Sequence, residues 1–312
     1  MALPSMSVSG PVPSQDKVYQ NFLLLHSLAA RRPGASLAGA LVLTSGMGSR
    51  GMELAMAATL GGAAFLGVEP RPQRLKHAMR HCACDFMVNT LDEALRVLKN
   101  QVRKRQPVSV GLLGNAAEVL PQIVLRGVQP DFLFDTSPLN APEDYVTPAH
   151  GCNEGTGKES GPLACRAKHR AALEQLAQRG AHLYVDRPSL PSLQANAQAP
   201  GDAGPAGHVL VSWKTDWPHD MDRLDMLVAS QLPATDQIRR QWLSGIAGCF
   251  HRQRPLEHLI SLLPTELAAL RNALQRPSFY NALERAASLH WMDNAGKEQV
   301  LPISPSNLTT MP

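Results

Sequence analysis

From about residue 38 onward, short apolar runs alternate with stretches in which apolar residues recur every three or four positions. The runs at 40–45, 63–69, 85–89, 108–113 and 131–135 are brief, rich in Val, Leu and Phe, and bounded by polar or turn residues, so they read as strands. The stretches at 52–61, 71–81, 91–105 and 116–126 carry the helical period between them. After a loop-rich stretch at 136–162, a helix at 163–179 and a strand at 181–185 continue the series. This alternation predicts an α/β fold: a Rossmann-like parallel sheet with crossover helices on both faces.

The chain changes character twice more. Residues 187–207 hold four prolines and no apolar period, which reads as a Pro-rich loop or linker. Beyond a possible strand at 208–213, the pattern predicts helices at 221–231, 236–250, 256–275 and 277–290, punctuated by Pro233, Pro255 and Pro277. The expected organisation is a tail and helix at 1–35, a Rossmann-like domain at 36–215 and a C-terminal helical appendage at 216–312. Within the first segment, residues 1–17 carry three prolines and four serines and read as a disordered tail, and the apolar run at 22–30 as an amphipathic helix.

Composition narrows the class. With 312 residues and 44% hydrophobic content the chain can bury one large core or two modest ones. Its 30 basic residues against 26 acidic ones leave a net charge of only +4, too near balance to point to nucleic acid. The run at 22–30 is interrupted by His26 and Ser27 and is too short to span a bilayer, so no membrane association is expected. Five cysteines, an odd number without framework spacing, suggest thiols in a reducing, cytoplasmic setting.

The candidate chemistry begins at Gly46-Met47-Gly48-Ser49-Arg50-Gly51, which has the spacing G-x-G-x-x-G between a predicted strand and a predicted helix. In that setting Gly46 allows a tight turn, Gly48 lets backbone approach a pyrophosphate, and Gly51 lets helix and strand pack closely. The phosphates would sit at the helix N-terminus. Glu69 ends the next strand, 18 residues beyond Gly51, where a carboxylate accepts from a ribose diol and repels a 2′-phosphate; this favours NAD over NADP. The same glycines are also ordinary turn chemistry, and Arg50 could pair with a phosphate or with Glu53. Asn115, Ala116 and the group Asp135-Thr136-Ser137 fall at the same predicted sheet edge, facing a ligand or capping local turns. His77, His81, Cys82 and Cys84 resemble half of a metal site without its second half, and no metal is expected.

The blocks at 36–69 and 108–137, and "LLGNAAEVLPQIVLRGVQPD" above all, resemble urocanase, also called urocanate hydratase. The resemblance runs from about residue 36 to 145 and fades beyond 150. It implies a homodimeric lyase of histidine metabolism. In this family tightly bound NAD+ acts as an electrophile toward an imidazole-containing substrate while water is added to urocanate. Residue by residue, Ser49, Arg50 and Gly51 match a Gly-Met-Gly that touches NAD, and Glu69 matches the acid that reads its ribose. Arg74 matches an arginine following that acid, and Asn115 and Ala116 match an Asn-Ala pair on the cofactor. Thr136, Ser137 and Tyr145 match positions in a loop that closes over it.

The departures from the family pattern are specific. Arg50 and Glu53 add bulk and charge to the glycine loop, and Pro138, Leu139 and Asn140 stand where the family carries Ala, His and Asp. The family's N-terminal region and its glycine-rich C-terminal segment have no counterpart in this sequence. Two readings therefore stand: a shortened urocanase relative that still hydrates urocanate or a related substrate, and a degenerate homologue, a pseudoenzyme, that binds a nucleotide or serves as a scaffold. The resemblance assigns no catalytic residue.

Overall fold

The computed structural model describes residues 12–32, 34–136, 162–185, 207–250, 255–293 and 295–304. Of the tail expected at 1–17, residues 1–11 lie outside the described residues and Gln15–Lys17 begin a helix; most of the loop at 136–162, most of the Pro-rich loop, Ser137 and Tyr145 also lie outside. The chain divides into two units, Met1–Pro200 and Gly201–Pro312.

In the first unit the alternating pattern becomes α1 (Gln15–Ala29), β1 (Leu41–Ser45), α2 (Ser49–Leu60), β2 (Ala64–Glu69), α3 (Pro72–Arg80), β3 (Phe86–Val88), α4 (Leu91–Lys104), β4 (Val108–Leu113), α5 (Ala116–Leu125), β5 (Phe132–Asp135), α6 (Pro162–Gln178) and β6 (His182–Val185). All six strands pair in parallel in the order β3-β4-β2-β1-β5-β6. β1, β2 and β5 are buried along their whole length, which explains why their sequences are continuous apolar runs and not alternating ones. The expected Rossmann-like α/β architecture is the observed one.

α2 begins three residues earlier than its apolar period suggests, so that Ser49, Arg50 and Gly51 form its first turn. Every residue from Gly51 to Ala58 is buried. A helix apolar all round needs two covers; the sheet supplies one and α1 packs against α2 to supply the other. α1 presents Val18, Tyr19, Phe22, Leu25 and Leu28 to that contact at helical spacing, and it reaches back to Gln15, beyond the stretch that periodicity alone marks.

His26, on α1, packs edge-on against Phe22 with ring centroids 4.5 Å apart, and its Nε2 is buried without a hydrogen-bond partner among the described residues. Burial pushes its imidazole down to about 4. Between that value and the ordinary 6.5 the unfolded chain binds a proton that the folded chain rejects. The stability due to a neutral His26 is therefore complete above about pH 6.5 and is lost as pH falls through 4. The urea midpoint should drop between pH 7.5 and pH 5, and His26→Leu should shrink that drop. An unchanged pH dependence in the variant would remove His26 as its source.

The second unit corrects the expectation of a purely helical appendage. It contains β7 (Val209–Thr215), α7 (Pro218–Gln231), α8 (Gln237–Phe250), β8 (Leu256–Leu262), α9 (Pro264–Leu274), α10 (Pro277–Tyr280), β9 (Ala287–Met292) and β10 (Glu298–Ile303). The strands form an antiparallel sheet in the order β10-β9-β7-β8. β7 thus belongs here and not to the parallel sheet, which moves the expected boundary at 215 to before residue 209. Residues 256–262 mimic a helical period because Leu256, Leu259, Ile260 and Leu262 are spaced three and four apart. In the strand, residues 258 to 262 are all buried, so no alternation survives to betray it.

This unit has its own core, with Trp213 and Trp242 completely buried. Arg239 holds the α8 start to α9: its Nη1 and Nη2 donate to the two Glu266 carboxylate oxygens at 2.6 and 2.9 Å, and its Nε donates to Asp236 at 2.6 Å. The fork-to-carboxylate geometry offsets the desolvation of both charges. No helix among the described residues is long and apolar enough to cross a membrane.

Candidate functional site

The sheet order reverses at β1. The chain proceeds from β1 to β2 on one side and later returns through α5 to β5 on the other. In open α/β sheets, ligands bind outside the carboxyl ends of the strands at such a switch point. Here those ends are Ser45 and Asp135, in register with each other. The described candidate residues are brought to this edge: the loop from Gly46 to Gly51, Glu69 with Arg74, Asn115 with Ala116, and Asp135 with Thr136. Ser137 and Tyr145 lie outside the described residues.

The loop is held tightly on one side and left open on the other. Gly46 has φ +121°, a conformation that a side chain would strain, and its N–H donates to Val68 O at 2.7 Å. A Cβ on Gly51 would lie 2.1 Å from the carbonyl oxygen of Gly46, so the first turn of α2 touches the loop backbone directly. Among the described residues, a Cβ on Gly48 would meet nothing within 4 Å. That open face borders the N-terminus of α2, whose first-turn N–H groups have no intrahelical acceptors and attract an anion. Arg50, exposed in the same turn, adds a full positive charge. Bare backbone, first-turn N–H groups and a cation in one place fit a pyrophosphate.

Glu69 is fully buried. Its Oε2 accepts from Met47 N–H of the loop at 2.9 Å, its Oε1 accepts from Arg71 N–H at 3.1 Å, and Arg74 lies 3.5 Å away as counter-charge. The carboxylate therefore braces the loop. Met47, itself completely buried, seats its sulfur where a side chain on Gly67 would stand, which ties the loop to β2. Glu53 is occupied in a similar way: its Oε1 accepts from Ser14 N–H at 3.2 Å and Ser49 Oγ at 3.1 Å, and burial pushes its carboxyl above the usual range.

On the β4 side, Gly114 N–H donates to Glu69 O at 3.1 Å, and Asn115 Oδ1 accepts from Ala117 N–H at 2.9 Å. Asn115 is thus an N-cap for α5, with the helix start aimed at the same edge. On the β5 side, Thr136 Oγ1 lies 3.2 Å from Thr44 Oγ1 and within reach of the carbonyls of Ser45 and Gly46, at 3.2 and 3.3 Å.

Asp135 is buried and accepts from Ser45 Oγ. Its Oδ1 lies 3.8 Å from Nε2 of His169, a residue that the motif reading does not single out. Burial pushes the His169 imidazole below its ordinary range, and the Asp135 carboxylate works against that shift. A signal for His169 does exist in the sequence: it occupies an inward position of α6, in helical register with Cys165, Ala172, Leu173 and Leu176, all buried. A histidine in an apolar stripe needs a polar neighbour, and Asp135 is the one the sheet brings to it.

In the His77–Cys84 stretch the His77 and His81 rings lie tilted with centroids 4.2 Å apart, and Cys84 is buried with its Sγ 3.1 Å from Phe86 O. Burial pushes the Cys84 thiol up to about 11. Among the described residues no group of three or more His, Cys, Asp or Glu side chains could hold a metal ion.

Comparison with known proteins gives one structural match and one family match. A crystal structure of NAD+-bound xylitol dehydrogenase is 16% identical and aligns with 48% of this chain and 53% of that one, at a TM-score of 0.25. The chain thus spans about half the length of that protein. The family model described as the urocanase Rossmann-like domain matches residues 18–184, from α1 through the whole parallel sheet to β6. That match takes in more than half of the chain, and the protein belongs to the urocanase Rossmann-like domain family.

Proposed function

We propose that this protein binds NAD at the switch-point edge between β1 and β5 and, if active, adds water to urocanate or a related imidazole acrylate as a lyase of histidine metabolism. The observation that carries the cofactor part is the glycine loop: open backbone at Gly48 beside the α2 N-terminus, with Arg50 in the same turn. Bound NAD+ would supply an electrophile for the electron-rich substrate. The chain would bind the pyrophosphate through first-turn N–H groups and Arg50, orient the loop through Glu69 and Met47, and hold Asn115 and Thr136 at the rim. Ser137 and Tyr145 belong to the same proposed binding set by their place in the sequence.

A second reading is favoured by the sequence after β5. Leu139 and Asn140 stand where the family carries a histidine and an aspartate, which removes two groups able to move a proton. In this reading the protein keeps the nucleotide and has lost the hydration, acting as a regulatory or scaffolding homologue.

One experiment separates them. NAD affinity is measured by calorimetry on the purified chain, and urocanate absorbance is followed in the presence of NAD. Heat of binding with loss of absorbance supports the lyase; binding with constant absorbance supports the pseudoenzyme. Absence of NAD binding would overturn both.

A further inference from the structure

At β9 and β10 the sheet of the second unit buries one face and leaves the other partly exposed. Ala287 and Leu289 of β9 are buried, whereas Ser288, His290 and Met292 alternate onto the opposite face. On β10 the register sets Val300 beside His290 and Glu298 beside Met292, so Glu298 is one diagonal step from His290. On β7 it sets Lys214 opposite Ser288 and Ser212 opposite His290.

Three of these side chains are connected in line. Ser288 Oγ lies 2.8 Å from His290 Nε2, and His290 Nδ1 lies 3.0 Å from Glu298 Oε1. A carboxylate can only accept, so the neutral imidazole carries its proton on Nδ1 and donates it to Glu298. Nε2 then holds a lone pair, and it accepts from the Ser288 hydroxyl. This is the relation of nucleophile, general base and orienting acid that defines a serine triad by geometry, independent of fold. The His290 side chain is 19% exposed and that of Glu298 62%, so a small reagent can approach the line from solvent.

The surroundings narrow the substrate. Met292 and Val300, both about half exposed, flank the triad on its own face and offer an apolar seat. Lys214, the register neighbour of Ser288, reaches the other way, its Nζ 3.2 Å from Glu257 of β8, and so leaves the serine's surroundings apolar. We infer that Ser288, His290 and Glu298 form a nucleophilic serine site that accepts acyl groups from small, apolar, activated carboxylic esters.

In the acylation step a bond forms between Ser288 Oγ and the ester carbonyl carbon, and the bond from that carbon to the alkoxy oxygen breaks. The serine proton passes to His290 Nε2 and then to the departing alkoxide. Water next attacks the acyl-serine, gives its proton to His290 and releases the carboxylic acid, while that proton restores the serine hydroxyl. Alcohol and acid leave, and water is the sole co-reactant. Glu298 is a positioning residue, acting through the imidazole.

The test uses the full chain with a fluorophosphonate, which phosphonylates activated serines, and with p-nitrophenyl acetate. Mass spectrometry should show one adduct per chain, mapped to the Ser288 peptide and absent in Ser288→Ala. His290→Asn should slow phosphonylation by about 100-fold or more, the usual contribution of a general base. Glu298→Gln should slow phosphonylation, and Glu298→Asp, which restores a carboxylate acceptor for His290 Nδ1–H, should recover part of the lost rate. A merely structural hydrogen bond would leave the rate of both variants unchanged. An unlabelled chain, an adduct elsewhere, or p-nitrophenyl acetate turnover that survives Ser288→Ala overturns the inference. Circular dichroism of each variant separates lost chemistry from lost folding.

Discussion

Gly51→Ala should abolish NAD binding and destabilise the first unit by about 3 kcal/mol, at the upper end of what overpacking ordinarily costs. The added methyl would sit 2.1 Å from the carbonyl oxygen of Gly46 and 2.9 Å from its carbon. Both are backbone atoms in the turn after β1, so no flexible side chain can swing away. The first turn of α2 and the loop must separate, and α2 is buried between the sheet and α1, with no free direction of retreat. Gly48→Ala is the contrasting variant. Its φ of −69° suits alanine and its Cβ would meet nothing among the described residues, so stability should hold within about 0.5 kcal/mol. NAD binding should still weaken, because the methyl occupies the face that the pyrophosphate approaches. Thermal unfolding and calorimetric titration of the two variants check both halves. Full NAD affinity in Gly48→Ala would remove that face from the site.

These two glycines illustrate what a sequence discloses. The spacing of Gly46, Gly48 and Gly51, the strand before them and Glu69 after them specify a βαβ unit, because each glycine answers a local steric demand. The apolar runs specify parallel strands, since burial on both faces leaves a continuous run. Which partner a polar side chain takes is a different matter. Glu69 reads as a group facing a ligand, yet the fold turns it inward to the Met47 N–H 22 residues away. His169 joins Asp135 only because α6 crosses beside β5, and nothing within either segment announces the other. The second unit was obscure for a related reason. Residues 281–290 are rich in Ala, Leu, Glu and Arg, which favour helices, but pairing of β9 with β7 and β10 overrides that preference.

The inward turn of Glu69 gives the second large effect. Glu69→Ala should destabilise the first unit by about 2–3 kcal/mol, because it removes the buried acceptor of the Met47 and Arg71 N–H groups and the carboxylate beside Arg74. NAD affinity should fall by at least ~10-fold, since the loop that holds the pyrophosphate loses its brace. That loss alone does not decide whether Glu69 also reads a ribose. The ratio of NADP to NAD affinity decides it, measured in Glu69→Gln, which keeps the side chain's shape and one acceptor oxygen. A carboxylate near the 2′ position repels a phosphate there, and its neutralisation should raise the ratio by about 10-fold, or about 1.4 kcal/mol. If the ratio stays constant while stability falls, Glu69 acts on the loop alone, and recognition of the ribose belongs to other groups at the rim, with Arg74 the first to test.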